Sequence, residues 1–218
     1  GASTGTHEAV ELRDGGTQWM GMGVQEAVDN VNGPIREALV GMNPSEQESI
    51  DSLLIKLDGS DNKGSLGANA ILGASLACLR ASSDGELWKH IRHGDEISLP
   101  VPMMNILNGG AHAESNVDVQ EFMVVPHGFQ SFSEALRAGV EIYHSLKTNL
   151  KQEGLLGGVG DEGGFAPNLS RNEEGLRLVR EAIEVAGYAP GKEVSIALDV
   201  AAQELSLIHI SEPTRPSS

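Results

Sequence analysis

The stretch VSIALD, residues 194–199, decides how the second half of the chain is read. Val194 to Leu198 is an apolar run of strand length, and it delivers an acid, Asp199, just past its end. Ahead of it lies a helix signal: Ser170 and Glu173 form a capping box, and Leu176, Val179, Ile183 and Ala186 share one face before Gly187 stops the helix. Further back comes the glycine-rich loop GLLGGVGDEGGFAPN, residues 154–168. A longer helix precedes the loop, Ser131 to Lys151, with Ser131 and Glu134 as a second capping box and Leu136, Val140, Tyr143 and Leu150 turned inward. DVQEFMVVP (118–126) is a strand candidate closed by Pro126, and ISLPVPMMNILN (97–108) is an apolar stretch ending at Gly109-Gly110. Strand, helix, loop, helix, strand indicates an α/β fold, with a barrel among its forms.

The first part of the chain has a different texture. SEQESIDSLLIKL (45–57) predicts a helix, with Ser45 and Glu48 as its capping box, Ile50, Leu53, Leu54 and Leu57 along one face, and Gly59 as its stop. GANAILGASLACLRA (67–81) predicts another, whose Gly67, Ala70, Gly73, Ala74 and Ala77 allow close packing. GELWKHI (85–91) reads as a short further helix. Residues 1–93 are therefore mostly helical, and the α/β part begins at 94.

The chain has 218 residues and a formal net charge of -16, which makes nucleic acid and anionic lipid poor partners. A surface of that sign binds an anionic substrate only where cations or local donors reverse the field. Cys78 is the sole cysteine, so an internal disulfide is excluded and a reducing, cytoplasmic setting is the expectation. The sequence has no apolar run long enough for a transmembrane helix, and its first residues show no basic-then-apolar signal pattern.

Three acidic or polar loops are candidates for chemistry. GDEGG (160–164) holds Asp161 and Glu162 between glycines, a composition that also suits an ordinary surface turn. Gly158, Gly160 and Gly163 satisfy the dinucleotide-binding spacing. That reading lacks the strand before and helix after, and it sets two acids where phosphates belong. NGGAHAESNVDVQEF (108–122) carries His112, Glu114, Asp118, Gln120 and Glu121, without the spacing of a zinc site. Period-two alternation puts Glu121 on one face with Val119 and Met123, an apolar setting in which an acid needs a partner or a raised pKa. GASTG (1–5) is a flexible polar loop without the lysine of a phosphate-binding loop.

Taken in order, GASTGTHEAVELRDG, NKGSLGANAILGASLA, LPVPMMNILNGGAHAESNVDVQEFM, GVGDEGGFAPN and IALDVAAQE resemble the enolase family, the phosphopyruvate hydratases, across roughly residues 1–204. The resemblance implies a small α+β capping domain followed by a modified α/β barrel. This chain would hold the helical part of the first (1–93) and the first part of the second (94–205). It implies Mg²⁺-dependent interconversion of 2-phosphoglycerate with phosphoenolpyruvate and water, in a cytoplasmic homodimer. Glu162 matches the general acid that protonates the departing hydroxyl. Crowding by Asp161 and Glu121 is expected to raise its pKa. His112, Gln120 and Glu121 match substrate-side residues, and Asp199 and Ser3 match Mg²⁺ ligands. The alternatives are another enolase-superfamily enzyme acting on a different carboxylate, or a non-catalytic fragment.

The sequence departs from the family at both ends. It starts at Gly1, inside a loop, where the family has the first strands of its capping domain. After Glu204 it turns into LSLIHISEPTRPSS, which reads as non-native or disordered (206–218). Two further acidic ligands, a lysine base and the phosphate-side Arg and Lys belong to later strands of the family's barrel. The expectation is that the parent protein is active and this chain alone is not.

Overall fold

The computed structural model describes residues 5–83, 85–94, 96–113, 117–160 and 162–202. Ser3, Glu114, Asp161 and the tail at 206–218 lie outside them. The described residues divide into two compact units, one up to residue 97 and one from 98 onward.

In the unit up to 97 the described residues form helices and no strand. A helical stretch runs from α1 (Gln25–Asn30) through a π-helical turn at Val31–Ile35 to α2 (Arg36–Leu39). The widened turn holds Pro34, which lacks the N–H that a regular turn requires. Helix α3 (Gln47–Asp58) buries Ile50 and Leu54 against α4 (Ala68–Ser82), which contributes Ala70 and Ala74. Gly73 and Ala77 are exposed, so close packing uses only part of the small-residue series. The Ser45 capping box does not form: the helix starts after Glu46, and Ser45 instead donates its N–H to the Asn43 side chain at 3.1 Å. Gly59 ends α3 as anticipated, at φ 70°. The short helix α5 covers Leu87–Ile91.

Asp58, only 6 % exposed, takes the inward position that Leu57 was expected to share. Its carboxylate accepts from Leu66 N at 2.7 Å, from Ser60 N at 3.0 Å and from the Ser60 hydroxyl. Burial alone would raise its pKa. Together with the Ser65 backbone, these donors outweigh burial and hold it below the ordinary value.

The second unit is built on β1 (Met104–Asn108), β2 (Glu121–Pro126) and β3 (Val194–Asp199), in the sheet order β1-β2-β3. Both pairings are antiparallel. A single crossover helix would have returned the chain parallel to β2. Here α6 (Phe132–Gln152) and α7 (Asn172–Val185) both intervene, and the second helix reverses the chain again. One face of the sheet (Leu107, Phe122, Val124, Val194) packs on Ile142, Leu146 and Leu150 of α6 and on Leu178, Val179, Ala182 and Ile183 of α7. Each fully buried side chain of that size contributes roughly 1.5–3 kcal/mol. The other face of the sheet carries the polar residues.

The helix faces differ from the periodicity reading. Leu136 and Val140 are 43 % and 49 % exposed, while Ala135, Ala138, Gly139 and Ile142 turn inward. The helix sits close: a Cβ on Gly139 would lie 2.0 Å from Met104 Cε, so the small residues face the sheet. On α7 the same holds for Gly175, whose Cβ would stand 2.7 Å from Phe122 Cζ, and Leu176 is left 37 % exposed. Ser131 caps α6, accepting from Glu134 N at 3.2 Å. At α7 the cap is different: Glu174, not Glu173, reaches back to Ser170 N at 2.9 Å.

Two measurements test this account. Gly175→Val should lower stability by about 1–3 kcal/mol through overpacking, and adding Phe122→Leu should restore part of it in thermal unfolding. Asp58 contributes stability above its unfolded pKa, and that contribution disappears as pH falls through its lower folded pKa. Asp58→Asn should therefore flatten the acid arm of the stability–pH profile.

Candidate active site

The sheet's register assembles the site. Asn108 at the end of β1 pairs with Glu121 at the start of β2, and Glu121 pairs with Asp199 at the end of β3. Directly opposed residues share a face, so an amide and two carboxylates stand in one row at one end of the sheet. The β1–β2 register slips between Asn105 and Leu107. Such a bulge re-aims side chains. It brings Asn105 and Asn108, three residues apart, to the same face, where plain alternation would oppose them.

The glycine-rich loop docks onto the free edge of β1. Asn108 N donates to Phe165 O at 2.8 Å, and Phe165 N donates to Ile106 O at 3.0 Å. The loop closes on itself through Gly160 N to Gly164 O (2.8 Å) and Gly163 N to Gly160 O (2.9 Å). Gly163 has φ +86°, a conformation that favours glycine. Gly160 and Gly164 are needed for another reason: a Cβ on either would fall 2.3 or 2.9 Å from Asn108 Nδ2. Helix α6 holds the loop from behind. Tyr143 donates its hydroxyl to Gly163 O at 2.9 Å, and its ring stacks on Phe165 at 4.4 Å.

Glu162 rides on this loop and meets Glu121. Ligand atoms of His112, Glu121 and Glu162 all lie within 4.8 Å of one another. His112 ends a 3₁₀ turn, Gly110–His112, and is half-buried. Gln120 is 4 % exposed, and its carbonyl accepts from Gly109 N at 3.0 Å. The structure thus brings His112, Glu121 and Glu162 together. It sets Asp199 across the β2–β3 ladder from Glu121, and Gln120 next to Glu121 along the chain. Ser3 lies outside the described residues.

Two carboxyl groups sharing a hydrogen bond hold one proton between them. The expectation placed that proton on Glu162. In the structure the upward shift falls on Glu121 instead. Burial comes first in raising Glu121, followed by its hydrogen bond to Glu162 and the negative charges of Glu162 and Asp199, and together they push it up to about 7. Glu162 is exposed and accepts from Glu121 and Asn105, which holds it below the ordinary glutamate value. Asp161 lies outside the described residues. A carboxylate-rich cluster with a pKa raised by burial and then by its own anions is one whose charge a hard divalent cation would offset.

Asn105, Asn108 and Tyr143 are the site residues that sequence reading did not single out for function. The signal for the first two was present in MNILN, two asparagines in an otherwise apolar strand. Tyr143 was read as core, and only the loop carbonyl at the end of its ring shows otherwise.

The titration order is measurable by carboxyl-carbon NMR. Glu121 should titrate near 7 and Glu162 below the ordinary glutamate range. Asp199→Asn removes an anion beside Glu121, so deprotonation becomes easier and the Glu121 midpoint should fall. An unchanged or higher midpoint would contradict the electrostatic account.

Among the described residues no helix is long and apolar enough to cross a membrane. Residues 1–92 match the enolase N-terminal domain, and residues 96–208 match the enolase C-terminal TIM barrel domain. The second match alone spans more than half of the 218 residues. A carboxylate cluster at the end of a strand that ends in Asp199, carried on sequence of this kind, leads to one assignment: the chain belongs to the enolase family.

Proposed function

We propose that the protein containing this chain is a Mg²⁺-dependent lyase interconverting 2-phosphoglycerate with phosphoenolpyruvate and water, the glycolytic reaction. The observation that carries the reading is the Glu121–Glu162 pair, one half-buried carboxyl pushed up to about 7 and one exposed carboxyl held low, with Asp199 across the ladder. In this reading residues 1–93 are the helical part of a capping domain and 94–205 the first part of a barrel. Work in the cytoplasm as a homodimer belongs to the same proposal.

The residues present suit a divalent cation because their oxygens are hard and their charge is uncompensated. Asp199 would hold Mg²⁺, with Ser3 contributing a further oxygen. The ion, when bound, supplies positive charge against the charge that builds on the substrate carboxylate. Glu162 is the general acid. Its exposed carboxyl faces incoming substrate, while half-buried Glu121 keeps the shared proton at rest. Passing that proton along the hydrogen bond arms Glu162 to protonate the departing hydroxyl. His112 and Gln120 bind and orient the substrate beside the pair. The base that takes the carbon-bound proton is not among these residues.

Glu162→Gln in the intact protein should lower kcat for phosphoenolpyruvate formation about a hundredfold or more while leaving KM within a few fold. Near-normal turnover would remove Glu162 from the acid position. On the alkaline side, activity should decline as the pair loses its proton near pH 7, measured as kcat against pH.

A further inference from the structure

We propose that Asn105 is a positioning residue for Glu162, and that Asn108 decides which end of the Asn105 amide faces it. The inference deepens the proposed function and rests on Glu162 acting in that site.

The chain of hydrogen bonds begins at a backbone carbonyl. Asn108 is 1 % exposed and donates Nδ2 to Gly164 O at 3.1 Å. A carbonyl can only accept, so Asn108 must turn its amino group there and its Oδ1 the other way. That oxygen accepts from Asn105 Nδ2 at 2.6 Å. The same Asn105 amino group reaches Glu162 Oε2 at 3.4 Å. Turning the Asn105 amide over would set oxygen against Asn108 Oδ1 and oxygen against the Glu162 carboxylate.

A second observation shows that this orientation is imposed rather than incidental. Asn105 Oδ1 is buried and has no hydrogen-bond partner among the described residues. An amide with free choice would satisfy its carbonyl. Asn105 leaves it unpaired because both donors are committed, one to Asn108 and one to Glu162. The β1 bulge is what lets both asparagines point the same way. Gly164 sits beside them, and a Cβ there would come within 3.0 Å of Asn105 Oδ1, so the absence of a side chain at 164 leaves the amide its place. Carbonyl, amide, amide and carboxylate form a polarised series. It begins and ends on the loop that carries Glu162, so the loop and the acid are aligned by one device.

The test uses Asn105, which is half-buried, because variants of fully buried Asn108 carry a larger folding cost. In the intact protein, Asn105→Ala should lower kcat for conversion of 2-phosphoglycerate about tenfold or more, with KM within about twofold. The thermal midpoint should stay near that of the unaltered protein. Asn105→Asp, the same shape with an acceptor in place of the donor, should be at least as impaired. In parallel, the Asn105 side-chain amide resonance, identified by its loss in Asn105→Ala, should shift in Glu162→Gln. A merely structural asparagine would lower the thermal midpoint without splitting kcat from KM, and its amide would not report on Glu162. An unmoved resonance, or an unchanged kcat in a folded Asn105→Ala variant, overturns the proposal. If the unaltered protein makes no phosphoenolpyruvate, the proposed function fails, and the amide shift alone then decides the Asn108–Asn105–Glu162 series.

Discussion

The register of β2 is the constraint on which the second unit depends. Its Phe122 and Val124 are buried against α6 and α7, while Glu121 and Met123 face the other way. A slip of one residue would bury a carboxylate among leucines and expose a phenylalanine. The apolar side therefore fixes the polar side. Because β2 is central, with β1 and β3 both paired to it, the same register aligns Asn108 and Asp199 with Glu121. The packing that stabilises this unit and the geometry of its acidic cluster follow from one alternation.

The carboxyl pair shows how burial assigns chemistry to residues that sequence alone treats as equivalent. Glu121 and Glu162 have the same intrinsic acidity. One sits on a strand inside the sheet's surface, and the other stands on a glycine loop open to water. The less hydrated partner carries the upward shift, because an anion there costs more. The loop residue, exposed, is shifted down. A difference in acidity between two like residues needs only this difference in exposure and a hydrogen bond between them.

Much of this was legible in the residues. VSIALD gave a strand ending in an acid, DVQEFMVVP gave its partner, and the two intervening helices were visible in their capping and periodicity. What could not be read was which residues face inward where packing is tightest. Leu136 and Val140 looked like core by hydrophobicity, but α6 approaches the sheet through Ala138 and Gly139, and the larger residues are displaced outward. Capping boxes failed at Ser45 and Ser170 because neighbouring side chains, Asn43 and Glu174, took the same backbone donors. The raised pKa of Glu121 was foreshadowed by its apolar neighbours, but the lowering of Glu162 was illegible for a related reason: relative burial is a tertiary property, and GDEGG and VQEF do not reveal which acid ends deeper. The bulge in β1 left no mark beyond two asparagines at an odd spacing.

The fit of Asn108 between Gly160 and Gly164 has a consequence for how this sequence can change. A side chain at either glycine would need the space that the Asn108 amide fills. A shorter residue at 108 would leave Gly164 O without its buried donor. Each of the three positions is thus locked by the other two, and single substitutions at any of them meet a penalty that only a coordinated change could avoid. Positions 108, 160 and 164 form a single unit of substitution, though they lie on a strand and a loop far apart in the chain.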